Sequence, residues 1–234
     1  MSWDIPVLQF FNQIAGKYHF FDLLVVKFLS LNTVKMLPVA ACMVWIWFDE
    51  KSQDQRRWQL GQALGGGFVA LVVSRIVQNL MPHHPRPVFS PDLDFVAPFG
   101  STNDILHDWS SFPSDNAALA FALAAGVWRA SKPLGTFCLF WAIFVISLPR
   151  VYAGYHYPSD ILGGAIIGFA SLAVVAWIIP REPKVPEFVG KYVRNTPVLY
   201  VILFVLMFEV VTMGQDFRMT FKGVFEYVSG DAAE

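Results

Sequence analysis

Six stretches of the chain, near residues 31–48, 60–80, 116–130, 134–148, 161–179 and 198–213, are almost purely apolar. About twenty such residues in helical form cross a hydrocarbon core of about 30 Å. Backbone in lipid must satisfy its own hydrogen bonds, which leaves the helix as the form these segments can take. The expected fold is therefore all-α: an integral membrane helical bundle of about six transmembrane helices plus N-terminal interfacial helices. The third and fourth stretches are short, so their ends are expected to tilt or to run on into polar residues. Composition points the same way, since 55% of residues are hydrophobic and only 15% charged, against about half and a quarter in soluble domains. Residues 1–11 lack a basic start and a small-residue cleavage site, so the first span is expected to serve as its own insertion signal.

Basic residues set the expected orientation. Lys51, Arg56, Arg57, Arg129, Lys132, Arg181, Lys184, Lys191 and Arg194 fall in the loops after the first, third and fifth spans, which makes those loops cytoplasmic by the positive-inside rule. The loops after the second and fourth spans hold almost no basic residues beyond Arg86 and Arg150. These two loops and both termini are expected on the exoplasmic face. Ahead of the first span, Leu8, Phe11 and Ile14, then Phe21, Leu24 and Val25, approximate helical spacing among polar residues. They read as helices lying on the exoplasmic surface, or equally as helices packed against the bundle. Residues 82–113 are too polar to cross lipid and too long for a simple connector, the kind of loop that tends to be functional. Residues 180–197, with four prolines and four basic residues, read as a cytoplasmic linker. One domain, 1–234, accounts for the chain, with a motif-bearing core at about 60–179. Cys42 and Cys138 fall inside spans as small apolar thiols; no disulfide, metal site or cofactor is implied, and nothing suggests nucleic-acid binding.

Three polar motifs abut spans on the expected exoplasmic side. The first is Pro85-Arg86-Pro87, the second Phe112-Pro113-Ser114-Asp115-Asn116, and the third runs from Arg150 through His156 to Asp160. A neutral imidazole can attack phosphorus in line and give a phosphohistidine that water then hydrolyses, so His156 is the candidate nucleophile. Asp160, four residues on, can reach the far ring nitrogen if a helix begins near Tyr157, fixing the tautomer and supporting the cation that forms. Ser159 or Asp160 as a plain helix cap is the competing reading. Arg86 and Arg150 offer planar forks suited to phosphate oxygens. Ser114 precedes the helix-forming run Ala117-Ala118-Leu119-Ala120-Phe121 and is a natural N-cap. With Asp115 and the backbone donors of that helix start, it completes the candidate phosphate site.

In order and approximate spacing these motifs resemble the three-part signature of the type-2 phosphatidic-acid phosphatase superfamily, on its membrane lipid phosphatase side, like the bacterial undecaprenyl-pyrophosphate phosphatases. The resemblance implies that serine and backbone amides hold phosphate and that a histidine closing the second motif protonates the leaving group. Here that position is Asn116, which can only hydrogen-bond. The lysine expected seven residues before Arg86 is Asn79, with Arg75 one turn farther back, and the serine expected before Arg150 is Pro149. His83, His84 and His107 are further candidates for supplying a proton. Glu209 in the last span is a weaker functional candidate, and the glycines at 65–67, 163, 164 and 168 read as helix-packing surfaces.

A phosphate leaving from a pyrophosphate needs little protonation, whereas a lipid alkoxide needs it badly. The missing general acid therefore favours a polyprenyl pyrophosphate or related lipid phosphate as substrate, hydrolysed at the exoplasmic face of a bacterial inner membrane. The alternatives are a phosphotransferase that passes the phosphoryl group to a glycan or lipid acceptor, and a degenerate, non-catalytic lipid-phosphate binder. The expected partners are the substrate and membrane lipids.

Overall fold

The computed structural model describes residues 3–49, 54–101 and 109–179, together with Phe204, Val205, Met207, Phe208 and Thr212. The sixth apolar stretch, apart from those last five positions, the expected linker 180–197, His107 and Glu209 lie outside the described residues. Among the described residues the secondary structure is entirely helical. Its elements are α1 Asp4–Asn12, α2 His19–Ser30, α3 Asn32–Phe48, α4 Asp54–Leu80, α5 Asp115–Ala130, α6 Lys132–Trp141, α7 Leu148–Tyr152 and α8 Pro158–Ile178. α4, the continuous rod Lys132–Tyr152 and α8 are long and apolar enough to span a membrane. The fourth stretch thus runs past both of its expected ends, through a π-helical segment at Ala142–Ser147. Pro149 follows that segment, and a widened turn relieves the clash a proline ring makes with the carbonyl four residues back.

α2 and α3 together can form a further span broken by a bend of 63°. The break falls at Leu31, whose φ −98° and ψ 89° leave the helix. Carbonyls of the last α2 turn lose their partners there, and the buried Lys35 ammonium takes the one from Leu29 at 2.7 Å. α1 and α2 pack against the bundle. Asp4 accepts the Ser159 N–H at 2.9 Å, and Asp22 accepts from Gly16 N–H, Phe99 N–H and the Tyr152 hydroxyl.

α5 is the centre of the molecule, with thirteen of its sixteen residues buried. Alanine-rich faces let α4 and α8 approach it closely, and glycine removes the last obstacle: a Cβ on Gly168 would stand 2.4 Å from the Ala118 carbonyl oxygen, and one on Gly126 2.1 Å from the Ala63 Cβ. Outward faces of the rods carry Phe140, Phe144, Ile166 and Trp177, all exposed. Apolar exposure on this scale suits lipid rather than water.

A Cβ at Gly164 would lie 2.4 Å from the Ser114 carbonyl oxygen. Gly164→Ala is expected to wedge α8 from α5 at the end that carries the polar motifs, costing about 1–3 kcal/mol. Gly61→Ala, where nothing lies within 4 Å, is the control. Melting temperatures of the two variants side by side check this; equal values would remove the packing argument.

Candidate active site

The C-terminal end of α4, the N-terminal end of α5, the end of α7 and the start of α8 meet at one end of the bundle, and all three motifs lie there. Their local folding explains why. Ser114 caps α5, its hydroxyl accepting from Ala117 N–H at 3.4 Å, and its own N–H donates to the Asp160 carbonyl at 3.1 Å. The second motif is thereby tied to the third. Between α7 and α8 the chain reverses, with Tyr155 and His156 N–H groups both donating to the Arg150 carbonyl at 2.9 and 3.3 Å. Gly154 makes that reversal possible with φ +70°. A side chain there would also strike the Phe95 ring, which the 82–101 segment lays over the turn.

His156 is 1% exposed. Its Nδ1 stands 2.9 Å from the Ser111 carbonyl oxygen, an acceptor only, so Nδ1 carries the proton and Nε2 the lone pair. Asp160 Oδ2 lies 3.6 Å from the same Nδ1, an electrostatic neighbour at a distance beyond a good hydrogen bond. That oxygen accepts the Tyr157 N–H at 2.7 Å, so Asp160 caps α8 and faces the imidazole at once. Burial pushes the His156 pKa down to about 4; Asp160 opposes that shift, while Arg86 and Arg150 add to it. The ring is neutral at pH 7.

Arg86 follows α4 and is itself buried. One of its Nη atoms donates to the Tyr155 carbonyl at 2.6 Å and lies 3.4 Å from His156 Nε2. Burial lowers the affinity of this guanidinium for its proton, and Asp115 and Asp160 offset that loss. Arg150 is buried in the last turn of α7. Nε2 thus faces guanidinium charge, and Nδ1 faces a carbonyl and a carboxylate. Such an imidazole is poised to accept an electrophile carrying negative oxygens.

Other sequence candidates are placed as follows. Asp115 and Asn116 are buried in the first turn of α5. Asn79 is exposed on the last turn of α4; its neighbour Gln78 makes the contact, donating to the Pro113 carbonyl at 2.7 Å. His84 Nδ1 pairs with the Ser111 hydroxyl at 2.6 Å and lies 3.9 Å from Asp160 Oδ1, on the Nδ1 side of His156 and away from Nε2. His83 is exposed beside it. Sequence reasoning missed Ser111, because a backbone acceptor has no residue signature. Arg75, one turn back from Asn79, meets Asp115 with its guanidinium at 2.7 Å.

The PAP2 superfamily model matches residues 36–184. Bacitracin transport permease protein BcrC of Bacillus licheniformis is 24% identical over 81% of this chain and 87% of its own length. Putative undecaprenyl-diphosphatase YbjG of Escherichia coli strain K12 is 32% identical over 60% and 65%, and Lipid A 1-diphosphate synthase of the same strain 27% identical over 82% and 87%. No solved structure matches the chain. With the family's model covering well over half the sequence, and all three motifs gathered at one end of a helical membrane bundle, the chain belongs to the PAP2 superfamily.

Proposed function

We propose that this protein is a membrane phosphatase that hydrolyses a polyprenyl pyrophosphate, or a closely related lipid phosphate, through a phosphohistidine on His156 at the exoplasmic face. The observation that carries the reading is the environment of His156: a buried, neutral ring with its Nδ1 proton committed to the Ser111 carbonyl and its Nε2 lone pair turned toward Arg86. As Nε2 forms its bond to phosphorus, the bond from that phosphorus to the lipid-bearing oxygen breaks, the electron pair leaves with that oxygen, and the ring becomes cationic with Asp160 at hand to balance it. Arg86, Arg150 and the Ser114 hydroxyl meet the equatorial phosphoryl oxygens, whose charge is largest in the transition state. Water then cleaves the N–P bond. The names of the relatives BcrC of Bacillus subtilis and YbjG, both undecaprenyl-diphosphatases by description, support a polyprenyl diphosphate substrate.

Arg56 and Arg57 near the start of α4, and Arg129 and Lys132 at the α5–α6 junction, lie at the end of the bundle opposite His156. The positive-inside rule then argues for a site facing the exterior of a bacterial inner membrane. A transfer reaction shares the first half of this mechanism, and the similarity to Lipid A 1-diphosphate synthase favours keeping it as the second reading. The test is phosphate release by purified protein from a panel of lipid mono- and diphosphates, with and without a glycolipid acceptor. Release from a polyprenyl diphosphate without acceptor is expected. Turnover only with acceptor would establish the transferase, and none with either would leave a lipid-phosphate binder.

A further inference from the structure

A carboxylate in the first turn of α5 sits where helix dipole and open N–H groups would otherwise draw an anion. Asp115 is that carboxylate. Its Oδ1 accepts the Asn116 N–H at 2.7 Å, and its Oδ2 accepts from Arg75 at 2.7 Å. Arg75 reaches across from α4, its guanidinium carbon 4.1 Å from the centre of the Trp109 ring, and donates to Gln78 Oε1 at 3.0 Å. Gln78 in turn holds the Pro113 carbonyl. The charge of Arg75 is felt at Arg86. Three guanidiniums, of Arg75, Arg86 and Arg150, therefore stand against two carboxylates, Asp115 and Asp160, at the end of the bundle that holds His156. Without Arg75 the site would have no excess positive charge.

We propose that Arg75 is a specificity-determining cation of this site, holding the leaving phosphate of a lipid diphosphate. The inference rests on the phosphatase reading above and adds the role of a residue outside the three motifs. Arg86 flanks the attacking nitrogen. In-line displacement sends the leaving oxygen to the opposite side of phosphorus, and Arg75 is tied to Asp115 in the first turn of α5. As Nε2 forms its bond to the terminal phosphorus, the bond from that phosphorus to the bridging oxygen breaks. The electron pair stays on that oxygen, so the departing lipid monophosphate gains one negative charge and needs no proton there. Arg75 meets that charge, which is how a site with Asn116 in place of an acid can expel this leaving group. A lipid monophosphate has no second phosphate for Arg75 to hold.

The test uses the full chain in mixed micelles, with one polyprenyl chain carrying either a diphosphate or a monophosphate. Arg75→Gln is expected to lower kcat/KM for the diphosphate by about a hundredfold, mainly through kcat, the usual scale for losing one transition-state donor, and for the monophosphate by less than about fivefold. Arg75→Lys should fall between wild type and Arg75→Gln on the diphosphate. If Arg75 merely neutralises Asp115, both substrates lose equally and adding Asp115→Asn to Arg75→Gln restores activity; either result overturns the proposal. Should Arg75→Gln fail to fold, Arg75→Lys is read by inhibition, with inorganic pyrophosphate weakened more than orthophosphate if the proposal holds and both equally if it does not. His156→Ala run alongside separates the two failures: turnover surviving in that variant sinks the phosphohistidine reading on which this inference rests, whereas His156-dependent turnover without Arg75 selectivity sinks only this inference.

Discussion

His156→Ala is expected to lower lipid diphosphate hydrolysis by roughly ten-thousandfold or more, as loss of a covalent nucleophile does elsewhere, while the bundle stays folded. The side chain is held by one backbone carbonyl and flanked by polar neighbours, and the apolar packing of α4, α5 and α8 lies deeper. Wild-type protein quenched during turnover should carry acid-labile, base-stable phosphate, and the variant none. Near-normal turnover in the variant would remove His156 from the mechanism. The pH profile offers a second check. Because burial holds the imidazole near 4, the nucleophile is neutral above that value, and the acid limb of kcat/KM should fall near pH 4 rather than at the 6.5 of a free histidine. Asp160→Asn keeps an oxygen for the Tyr157 N–H but removes the charge that favours the protonated ring. Its limb should move to still lower pH while the rate falls about a hundredfold. That loss is smaller than in enzymes where the carboxylate alone selects the tautomer, since here the Ser111 carbonyl does so.

How far the sequence reached depended on whether the information was local. Long apolar runs announced the spans, and the Ser114 cap located the start of α5, because both signals reside in neighbouring residues; α8 starts at Pro158, ahead of the apolar run from Ile161 and of the expected caps Ser159 and Asp160. The bend at Leu31 did not show, since the group that satisfies its free carbonyl, Lys35, looks from sequence like an ordinary polar start to a span. Nor did the anchoring of α1 and α2, which depends on Asp4 meeting Ser159 and Asp22 meeting Tyr152 across more than a hundred residues. Arg75 lies one turn farther back along α4 than the Asn79 position, and nothing in its neighbours announced that Trp109 and Asp115 would meet its guanidinium from another part of the chain.

Asn116→His should raise hydrolysis of a lipid monophosphate more than that of the matching diphosphate. Asn116 is buried in the first turn of α5, beside Ser114 and Asp115, at the position where the resemblance implies a proton-donating histidine, and its amide has no proton to give at neutral pH. A monophosphate ester must expel an alkoxide, for which a general acid is worth about a hundred- to ten-thousandfold. A diphosphate expels a phosphate that is stable without a proton, and on the proposal made above the Arg75 charge takes the place of one. Wild-type protein is therefore expected to prefer the diphosphate, and the histidine variant to narrow that preference, most clearly where the new imidazole is protonated, below about pH 6.5. The measurement is kcat/KM for both headgroups on one lipid, in both proteins, across pH. Equal use of the two headgroups by wild type, with activity lost in Asn116→His, would refute the leaving-group argument and make Asn116 a ligand for substrate or acceptor, because a residue that only fills space beside an unprotonated leaving group gives no reason for the amide itself to be required.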